Sequence, residues 1–113
     1  MLSRHHRFTG NKDIPAVLRR GRHIGSEGFS LKLVPSSGDQ SRIAIVVSKK
    51  TAKHAITRNR IRRRIYSFFR QYLADFTDSY DIVVLVRDES LATMDWKGLH
   101  DRLLAACRQA RVL

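Results

Sequence analysis

The stretch from Arg42 to Tyr72 constrains this 113-residue chain more than any other part of it. It reads RIAIVVSKKTAKHAITRNRIRRRIYSFFRQY, which begins as a strand, passes through the turn Ser48–Lys50 and ends in an arginine-rich helix. No acidic residue lies between Asp39 and Asp75. Solvated helices usually pair each cation with an acid one turn away. The absence of such acids predicts an external polyanion as partner, most simply a phosphate backbone.

On a helical wheel, the segment that begins at Arg58 separates into two faces. Its apolar positions recur at the spacing of a core-facing stripe, formed by Ile61, Ile65, Phe68, Phe69 and Tyr72. The opposite, exposed face is predicted to carry Asn59, Arg63, Tyr66 and Arg70, widened by Arg60, Arg64, Ser67 and Gln71. Arginine suits such a face because its planar guanidinium binds phosphate oxygens in pairs and stacks on bases. A merely solvated surface is the alternative interpretation, and the missing acids argue against it.

The charge of the chain is large and unevenly distributed. The net charge is +12, which indicates nucleic acid or another anionic surface as partner. Residues 39–74 carry ten basic residues and one acidic residue, whereas residues 75–113 carry five basic and seven acidic residues. We therefore expect the last third of the chain to face away from the polyanion. No apolar run approaches the length of a membrane span, and the N-terminal MLSRHHRF has no signal-peptide core.

Residue types that could support catalysis by the protein itself are not grouped in the sequence. Cys107 is the only cysteine, which favours a reducing, cytoplasmic setting and a small buried residue rather than a nucleophile. The five histidines show no metal-ligand spacing; His54, amid basic residues, either contacts RNA or has a structural or incidental role. Asp75, Asp78 and Asp81 are interpreted as turn and strand-edge residues. The sequence thus predicts no catalytic residue and no metal site.

The first half of the chain predicts a basic arm, a short helix and two strands. Asn11 is expected to cap a helix that ends at Gly21 and buries Ile14, Val17 and Leu18. The first strand, residues 28–34, points Phe29, Leu31 and Leu33 inward. A turn at residues 35–39 predicts antiparallel pairing with a second strand, residues 42–48, which points Ile43, Ile45 and Val47 inward. Its other face carries Arg42, Ala44, Val46 and Ser48, small enough for the most part to leave room for a ligand.

The second half predicts a central strand and a closing helix. The run 82–86 is apolar throughout, as expected of a strand covered on both faces. Because a long helix separates it from strand 42–48, those two strands should be parallel. Thr93 or Asp95 caps a last helix with core-spaced Trp96, Leu99, Leu103, Leu104 and Cys107. The expected fold is an α+β two-layer sandwich of a mixed, roughly four-stranded sheet with three helices, in the order α-β-β-α-β-α, forming one RNA-binding domain over residues 1–113.

The central motif resembles a known family. Ser48-Lys49-Lys50, followed after seven residues by Arg58-Asn59-Arg60-Ile61-Arg62-Arg63, is similar to the signature of the bacterial ribonuclease P protein component. That signature reads Arg-Asn-Arg-Ile-Lys-Arg and follows a strand that ends in Lys-Lys. The resemblance covers nearly the whole chain and includes Arg7-Phe8, a short helix ending in Gly21, Phe29 in a strand, and Asp81–Val84.

The resemblance implies a subunit that binds a large catalytic RNA and helps it remove the 5′ leader from precursor tRNA. It implies that the RNA performs the chemistry with magnesium, that the protein holds no cofactor, and that the βαβ crossover is left-handed. No membrane and no obligate protein partner is indicated. Carried over by position, the RNA contacts are Arg58, Asn59, Arg60, Arg62 and Arg63, flanked by Lys49, Lys50 and Lys53. Tyr66 and Arg70, which the helical wheel places on the exposed face, are expected to contact the RNA as well. A cleft for the single-stranded leader would be lined by Ile14, Leu18, Lys32 and Ser48.

Four positions depart from the family pattern. Tyr66 stands where an arginine is usual, so stacking or a hydroxyl hydrogen bond would replace a phosphate contact, and Arg64 stands where the family is often aliphatic. Ile14 and Leu18 replace aromatic residues of the first helix. Two other functions stay open: a ribosomal-type architectural RNA-binding protein, and a DNA-binding regulator that reads the major groove. The strand that leads directly into the arginine helix argues against a helix-turn-helix.

Overall fold

The computed structural model describes residues 13–36, 38 and 40–113. The basic arm and the cap at Asn11 lie outside the described residues. Within them the chain forms three α-helices, four strands and two short 3₁₀ helices. The helices are α1 (Asp13–Arg20), α2 (Ala55–Tyr72) and α3 (Trp96–Gln109), the strands are β1 (Arg22–Gly25), β2 (Phe29–Pro35), β3 (Arg42–Val47) and β4 (Tyr80–Val86), and the 3₁₀ helices are Leu73–Asp75 and Glu89–Ala92.

The four strands form one mixed sheet in the order β1-β2-β4-β3. β4 pairs antiparallel with β2 and parallel with β3, so the β3–α2–β4 unit is the predicted parallel βαβ unit. The expected α+β class, with three helices and a four-stranded mixed sheet, is confirmed. The left-handedness of the crossover stays a prediction.

The predicted pairing of β2 with β3 is wrong. Both strands instead pair with β4, which lies between them. Ile82, Val83 and Val84 of β4 are completely buried. Such a strand is most stable when both edges are hydrogen-bonded and both faces are covered. In the centre of the sheet, β4 has both edges hydrogen-bonded and both faces covered. The chain that follows β2 therefore leaves the position beside β2 to β4, and β3 lies at the edge of the sheet.

The fourth strand, β1, has little signal in the sequence. It is four residues long, and Ile24 is its only buried side chain. It forms because α1 ends against β2: the Gly21 amide donates to the Val17 carbonyl at 2.7 Å. A Cβ atom at Gly21 would lie 2.5 Å from that carbonyl oxygen and 3.0 Å from the Leu33 nitrogen. Only glycine allows so close an approach, and the chain then continues directly into β1 beside β2.

One face of the sheet packs against α2 and α3 and forms the main core. The inward positions predicted for β2 and β3 all lie in this core, as do Ile61, Ile65, Phe68 and Phe69 of α2. Cys107 of α3 is completely buried there, as predicted, and its burial raises the pKa of the thiol to about 12. A thiol of this kind stays protonated and unreactive at neutral pH.

The helix α1 covers part of the other face of the sheet. Val17 packs there with Ala44 and Val83, and Ile14 and Leu18 are half-buried beside them. Successive strand residues point to opposite faces, so β4 contributes Val83 to this cluster and Ile82 to the main core.

The closing helix begins as predicted, with one correction. The Asp95 carboxylate caps α3 by accepting from the Gly98 amide at 3.1 Å. Leu99 and Leu103 are completely buried, and Leu104 is half-buried. Trp96, however, was predicted to be a core residue and is 40% exposed. Trp96 is the first residue of α3, and this end of the helix is less covered by the core than the turns that follow.

Candidate nucleic-acid interface

The basic turn before α2 is fixed to the end of the two parallel strands. The Ser48 carbonyl accepts from the Thr51 and Ala52 amides at 3.1 and 3.0 Å, and the Ser48 hydroxyl lies 3.2 Å from that of Thr51. The Thr51 hydroxyl donates to the Val86 carbonyl at 3.3 Å, which ties the turn to the end of β4. Lys49 and Lys50 lie within this closed turn and are exposed. The turn thus presents two ammonium groups from a backbone that is held in place.

Arg58 closes the other side of the turn. One of its guanidinium nitrogens donates to the Ala52 and Lys53 carbonyls at 2.9 and 3.0 Å. Among the residues predicted to contact RNA, Arg58 therefore also has a structural role in joining the turn to the first turn of α2. The remaining N–H groups of its guanidinium can still donate to an anion, since arginine carries five.

The predicted exposed face of α2 is confirmed for most of its members. Six basic side chains of the turn and the helix are exposed: Lys49, Lys50, Lys53, Arg60, Arg63 and Arg70. Asn59 is exposed too, and its amide oxygen accepts from the half-buried Arg62 at 3.0 Å. That bond orients both side chains on the surface of α2 before any ligand arrives.

The positive charge of this surface is not neutralised within the described part of the chain. Ion pairs there join Arg42 with Asp81, Lys97 and His100 with Asp101, and Arg102 with Glu27, so none of them includes a basic residue between 49 and 70. The first turn of α2 contains no acidic residue. The positive end of the helix dipole therefore adds to the field of the side chains. This surface is suited to bind an extended anion.

Tyr66 was predicted to lie on the exposed face of α2, and that prediction is wrong. Its side chain is only 7% exposed and belongs to the main core cluster. Side chains of a helix lean toward the preceding turn, and Arg62 and Arg63 of that turn line the same pocket as Tyr66. The tyrosine is therefore the floor of a surface depression rather than a projecting contact.

Arg64 is turned away from the basic face. Its guanidinium donates to the carbonyl oxygens of Leu91 and Met94 at 2.7 and 2.6 Å. These carbonyls belong to the segment around the 3₁₀ helix Glu89–Ala92, which packs along α2. An aliphatic side chain could not make these bonds, so this arginine stabilises the junction between α2 and the chain that leads into α3.

The predicted leader cleft is only partly open. Lys32 of β2 is half-buried, in register with Val83 of β4. Ala44 was expected to leave room for a ligand but is 3% exposed because α1 packs over it. Val46 and Leu85, farther along the strands, are half-buried and remain accessible. Ser48 is exposed, although its hydroxyl is hydrogen-bonded within the turn.

The arginine helix, the lysine turn and the sheet that carries them all lie within the part of the chain that matches a known protein family. The family model described as Ribonuclease P matches residues 2–111. The chain belongs to the ribonuclease P protein family.

Relatives and solved structures agree with this assignment. The ribonuclease P protein component of Pseudanabaena sp. is 35% identical over 114 residues, covering 100% of this chain and 97% of the relative. That of Halalkalibacterium halodurans is 26% identical and covers 99% and 93%. Among solved structures, the RNase P protein from Thermotoga maritima has a TM-score of 0.81 at 25% identity, covering 91% of this chain and 96% of that one. The RNase P protein of Staphylococcus aureus has a TM-score of 0.84 at 25% identity, covering 95% and 96%.

No group of three histidine, cysteine, aspartate or glutamate side chains is placed to hold a metal ion among the residues that the structure describes. Asp81 is paired with Arg42, and Asp78 accepts a hydrogen bond from the amide of Ser79, so these two act as the predicted strand-edge and turn residues. No helix in the same residues is both long and apolar enough to cross a membrane.

Two residues on this side of the protein were missed in the sequence. Ile56, in the first turn of α2, is 72% exposed and lines the depression above Tyr66, which has a volume of about 350 Å³. Trp96 lines a second pocket together with Arg63, Arg64 and Ser67. An apolar residue at a helix start carries no signal of exposure by itself. That Ile56 and Trp96 are exposed and line pockets can be recognised only from the packing of the elements around them.

Proposed function

We propose that this chain is the protein subunit of a ribonucleoprotein ribonuclease P, which binds the catalytic RNA and assists removal of the 5′ leader from precursor tRNA. The observation that carries this proposal is the unneutralised basic surface formed by the turn 48–54 and α2, in a chain that belongs to the ribonuclease P family. The lone, buried Cys107 is compatible with the reducing cytoplasm, where we place this reaction.

The basic face of α2 would bind the structured catalytic RNA. Arg60, Arg63 and Arg70 project from a rigid helix, and their forked donors match pairs of phosphate oxygens. The lysines of the turn would add point charges beside them. Because the turn and the helix are joined by Arg58, these charges keep a fixed arrangement, which favours a folded RNA of matching shape over a flexible strand.

The other face of the sheet would take the single-stranded leader. Lys32 supplies a charge there, and the half-buried Val46 and Leu85 supply an apolar surface beside α1. Ile14 and Leu18 lack the aromatic rings that stack on bases, a contact worth about 1–3 kcal/mol per base. Leader binding would therefore be mainly electrostatic and tolerant of sequence.

We propose that the protein alone does not cleave RNA. Its described residues bring together no group of three histidine, cysteine, aspartate or glutamate side chains that could hold a metal ion and so activate water, and its role would be to neutralise phosphates and position the substrate. The catalytic RNA would supply the magnesium ions and the chemistry. The protein should then matter most at low magnesium concentration, where phosphate repulsion between catalytic RNA and substrate is strongest.

The experiment compares Arg63→Ala with Lys32→Ala. We would measure the affinity of each variant for the catalytic RNA alone, and then the affinity of each reconstituted holoenzyme for precursor and mature tRNA. Arg63→Ala should weaken binding of the catalytic RNA, whereas Lys32→Ala should mainly reduce the preference for precursor over mature tRNA. Both residues are at least partly exposed, so both variants should fold.

Two results would contradict the proposal. If Lys32→Ala leaves the preference unchanged, or if Arg63→Ala alters only that preference, the assignment of the two faces is wrong. If the wild-type protein does not bind the catalytic RNA, or cleaves precursor tRNA after all RNA has been removed, the proposed function itself is wrong.

A further inference from the structure

We propose that Trp96, together with Arg63 and Ser67, forms a binding site for one unpaired nucleotide of the bound RNA. The indole would stack on the base, and Arg63 would bind the adjoining phosphate. This site extends the RNA interface from α2 to the first residue of α3, so in this proposal the last third of the chain does not face away from the RNA entirely, as its charge alone predicted. It rests on the proposed function, because the nucleotide belongs to the RNA that α2 binds.

The first observation is the position of the indole. Trp96 is 40% exposed, although tryptophan is a large apolar side chain that the sequence pattern assigned to the core. A single exposed apolar residue needs no explanation of its own. Here, however, the indole lines a pocket whose other walls are Arg63, Arg64 and Ser67, all from α2. An aromatic surface and a free guanidinium therefore face the same space.

The second observation is that the indole is held by a series of aromatic contacts. Trp96 contacts the ring of His100 with centroids 5.9 Å apart, and His100 contacts Phe68 at 5.5 Å. The Tyr72 hydroxyl lies 2.8 Å from the His100 Nε2 atom, which fixes the imidazole. Phe68 is completely buried, so this series anchors the exposed indole to the core. A stacking surface that is already ordered loses little entropy on binding.

The third observation is a division of roles between two neighbouring arginines. Arg64 is held by the Leu91 and Met94 carbonyls, so it forms a fixed wall of the pocket. Arg63 is exposed and makes no ion pair within the described residues. Its donors are available for phosphate oxygens. The exposed Ser67 adds a hydroxyl that can donate or accept.

These features together select a nucleotide over other ligands. The surface is strongly positive, so an anionic partner is favoured, and the indole favours a ligand with an aromatic face. A nucleotide of a single-stranded or bulged segment has both, and its base is free to stack. A paired base within a helix has its faces covered by its neighbours and could not insert.

The chain itself offers a probe for this site, because Trp96 is its only tryptophan. Indole fluorescence therefore reports on this position alone. We would titrate the full-length protein with the catalytic RNA of the same organism, and record both the emission and its quenching by acrylamide, which is uncharged. Filter retention would measure RNA binding independently. Stacking should quench the emission as the RNA saturates the protein, and should shield the remaining emission from acrylamide.

Variants separate stacking from a structural role of the indole. Trp96→Ala should weaken binding of the catalytic RNA about tenfold, and Trp96→Phe should restore most of that loss. Gln109→Ala, an exposed position at the other end of α3, is the matched control and should bind as the wild type does. Thermal unfolding of each variant establishes that the binding temperature lies well below the midpoint.

The outcomes distinguish this inference from the proposed function. If the RNA binds with normal affinity but the emission of Trp96 does not change, the nucleotide site is wrong and the proposed function stands. The same holds if Trp96→Ala, folded at the assay temperature, binds within twofold of the wild type. If the RNA does not bind at all, the proposed function fails and the nucleotide site fails with it.

Discussion

Arg42 and Asp81 are joined by two charge-assisted hydrogen bonds across the parallel strands β3 and β4. The Arg42 Nε atom lies 3.0 Å from one carboxylate oxygen of Asp81, and a terminal guanidinium nitrogen lies 2.8 Å from the other. The two residues are directly in register. The side chain of Asp81 is 9% exposed and that of Arg42 is 31% exposed, so the two partners depend on the pair to different extents.

This difference predicts unequal costs for removing either partner. Arg42→Met leaves a buried carboxylate without its main donor and should lower the free energy of unfolding by about 3 kcal/mol. Asp81→Asn leaves an arginine that can still reach water, and should cost about 1–2 kcal/mol. Urea unfolding of both variants measures the difference. Equal losses, or a larger loss in Asp81→Asn, would mean that burial of the carboxylate does not set the cost.

The neighbouring residues Arg63 and Arg64 should differ in their effect on stability. Arg64→Ala removes the donor of two backbone carbonyls and should lower the free energy of unfolding by about 2 kcal/mol. Arg63→Ala, one position earlier on the exposed face, should change it by less than about 0.5 kcal/mol. The pair forms a matched comparison of the same substitution in the same helix. Similar thermal midpoints for the two variants would show that the contacts of Arg64 contribute nothing.

RNA binding should depend strongly on salt. If the six exposed basic side chains of the turn and α2 each neutralise one phosphate, log K should fall by roughly 5 per decade of salt, using the coefficient for a double helix. A fourfold rise in salt would then weaken binding by roughly three orders of magnitude. Affinities measured at several potassium concentrations give the slope. A slope near zero would mean that this surface is only solvated.

Cys107 should resist alkylation in the folded protein. Burial raises the pKa of its thiol from 9.0 to about 12, so almost no thiolate is present at pH 8. Iodoacetamide should therefore react slowly with the native protein and rapidly in guanidinium chloride, as followed by mass spectrometry. Fast native labelling would contradict the burial.

The same pKa shift gives a pH dependence of stability. The unfolded thiol ionises near pH 9, whereas the folded thiol stays protonated up to about pH 12. Ionisation thus favours the unfolded state, and this contribution to stability is lost as the pH rises from about 9 to about 12. Cys107→Ala should show a shallower decline over that range. Parallel declines in the variant and the wild type would show that other groups cause the loss.

Periodicity predicted which helices and strands form, and which of their faces are buried, better than it predicted which strands pair with each other. The apolar stripe of α2 and the alternation of β2 and β3 depend on spacing along one element, so the sequence identifies their buried faces. Pairing depends on which edge of a strand is left free, and no local pattern contains that information. For this reason the parallel β3–β4 pair, which a crossover helix requires, was predicted correctly, while the β2–β3 pair was not.

The candidate site shows the same limit at the level of side chains. A helical wheel places Tyr66 and Arg64 on the polar side of α2. A long side chain can, however, bend toward a neighbouring element and pack against it or bond to it, and the wheel does not show this. Tyr66 is covered in the core, and Arg64 bonds to the segment before α3. Trp96 is the opposite case, a residue predicted to be buried that is exposed. It has the spacing of the core residues of α3, but it is the first residue of that helix and is only partly covered by the rest of the protein. The residues that extend straight outward, such as Arg60 and Arg63, were placed correctly.

The central position of β4 also determines when the sheet can form during synthesis of the chain. The hairpin of β1 and β2 and the unit of β3 and α2 share no strand pairing until β4 is added between them. Chains emerge from the ribosome N-terminus first, so the arginine helix is exposed before the strand that fixes its platform. Until then Phe68 and Phe69 lack most of their core. The nascent protein is therefore a polycation with an uncovered apolar stripe, and that period ends only when residues 80–86 and then α3, which packs in the same core, have been released.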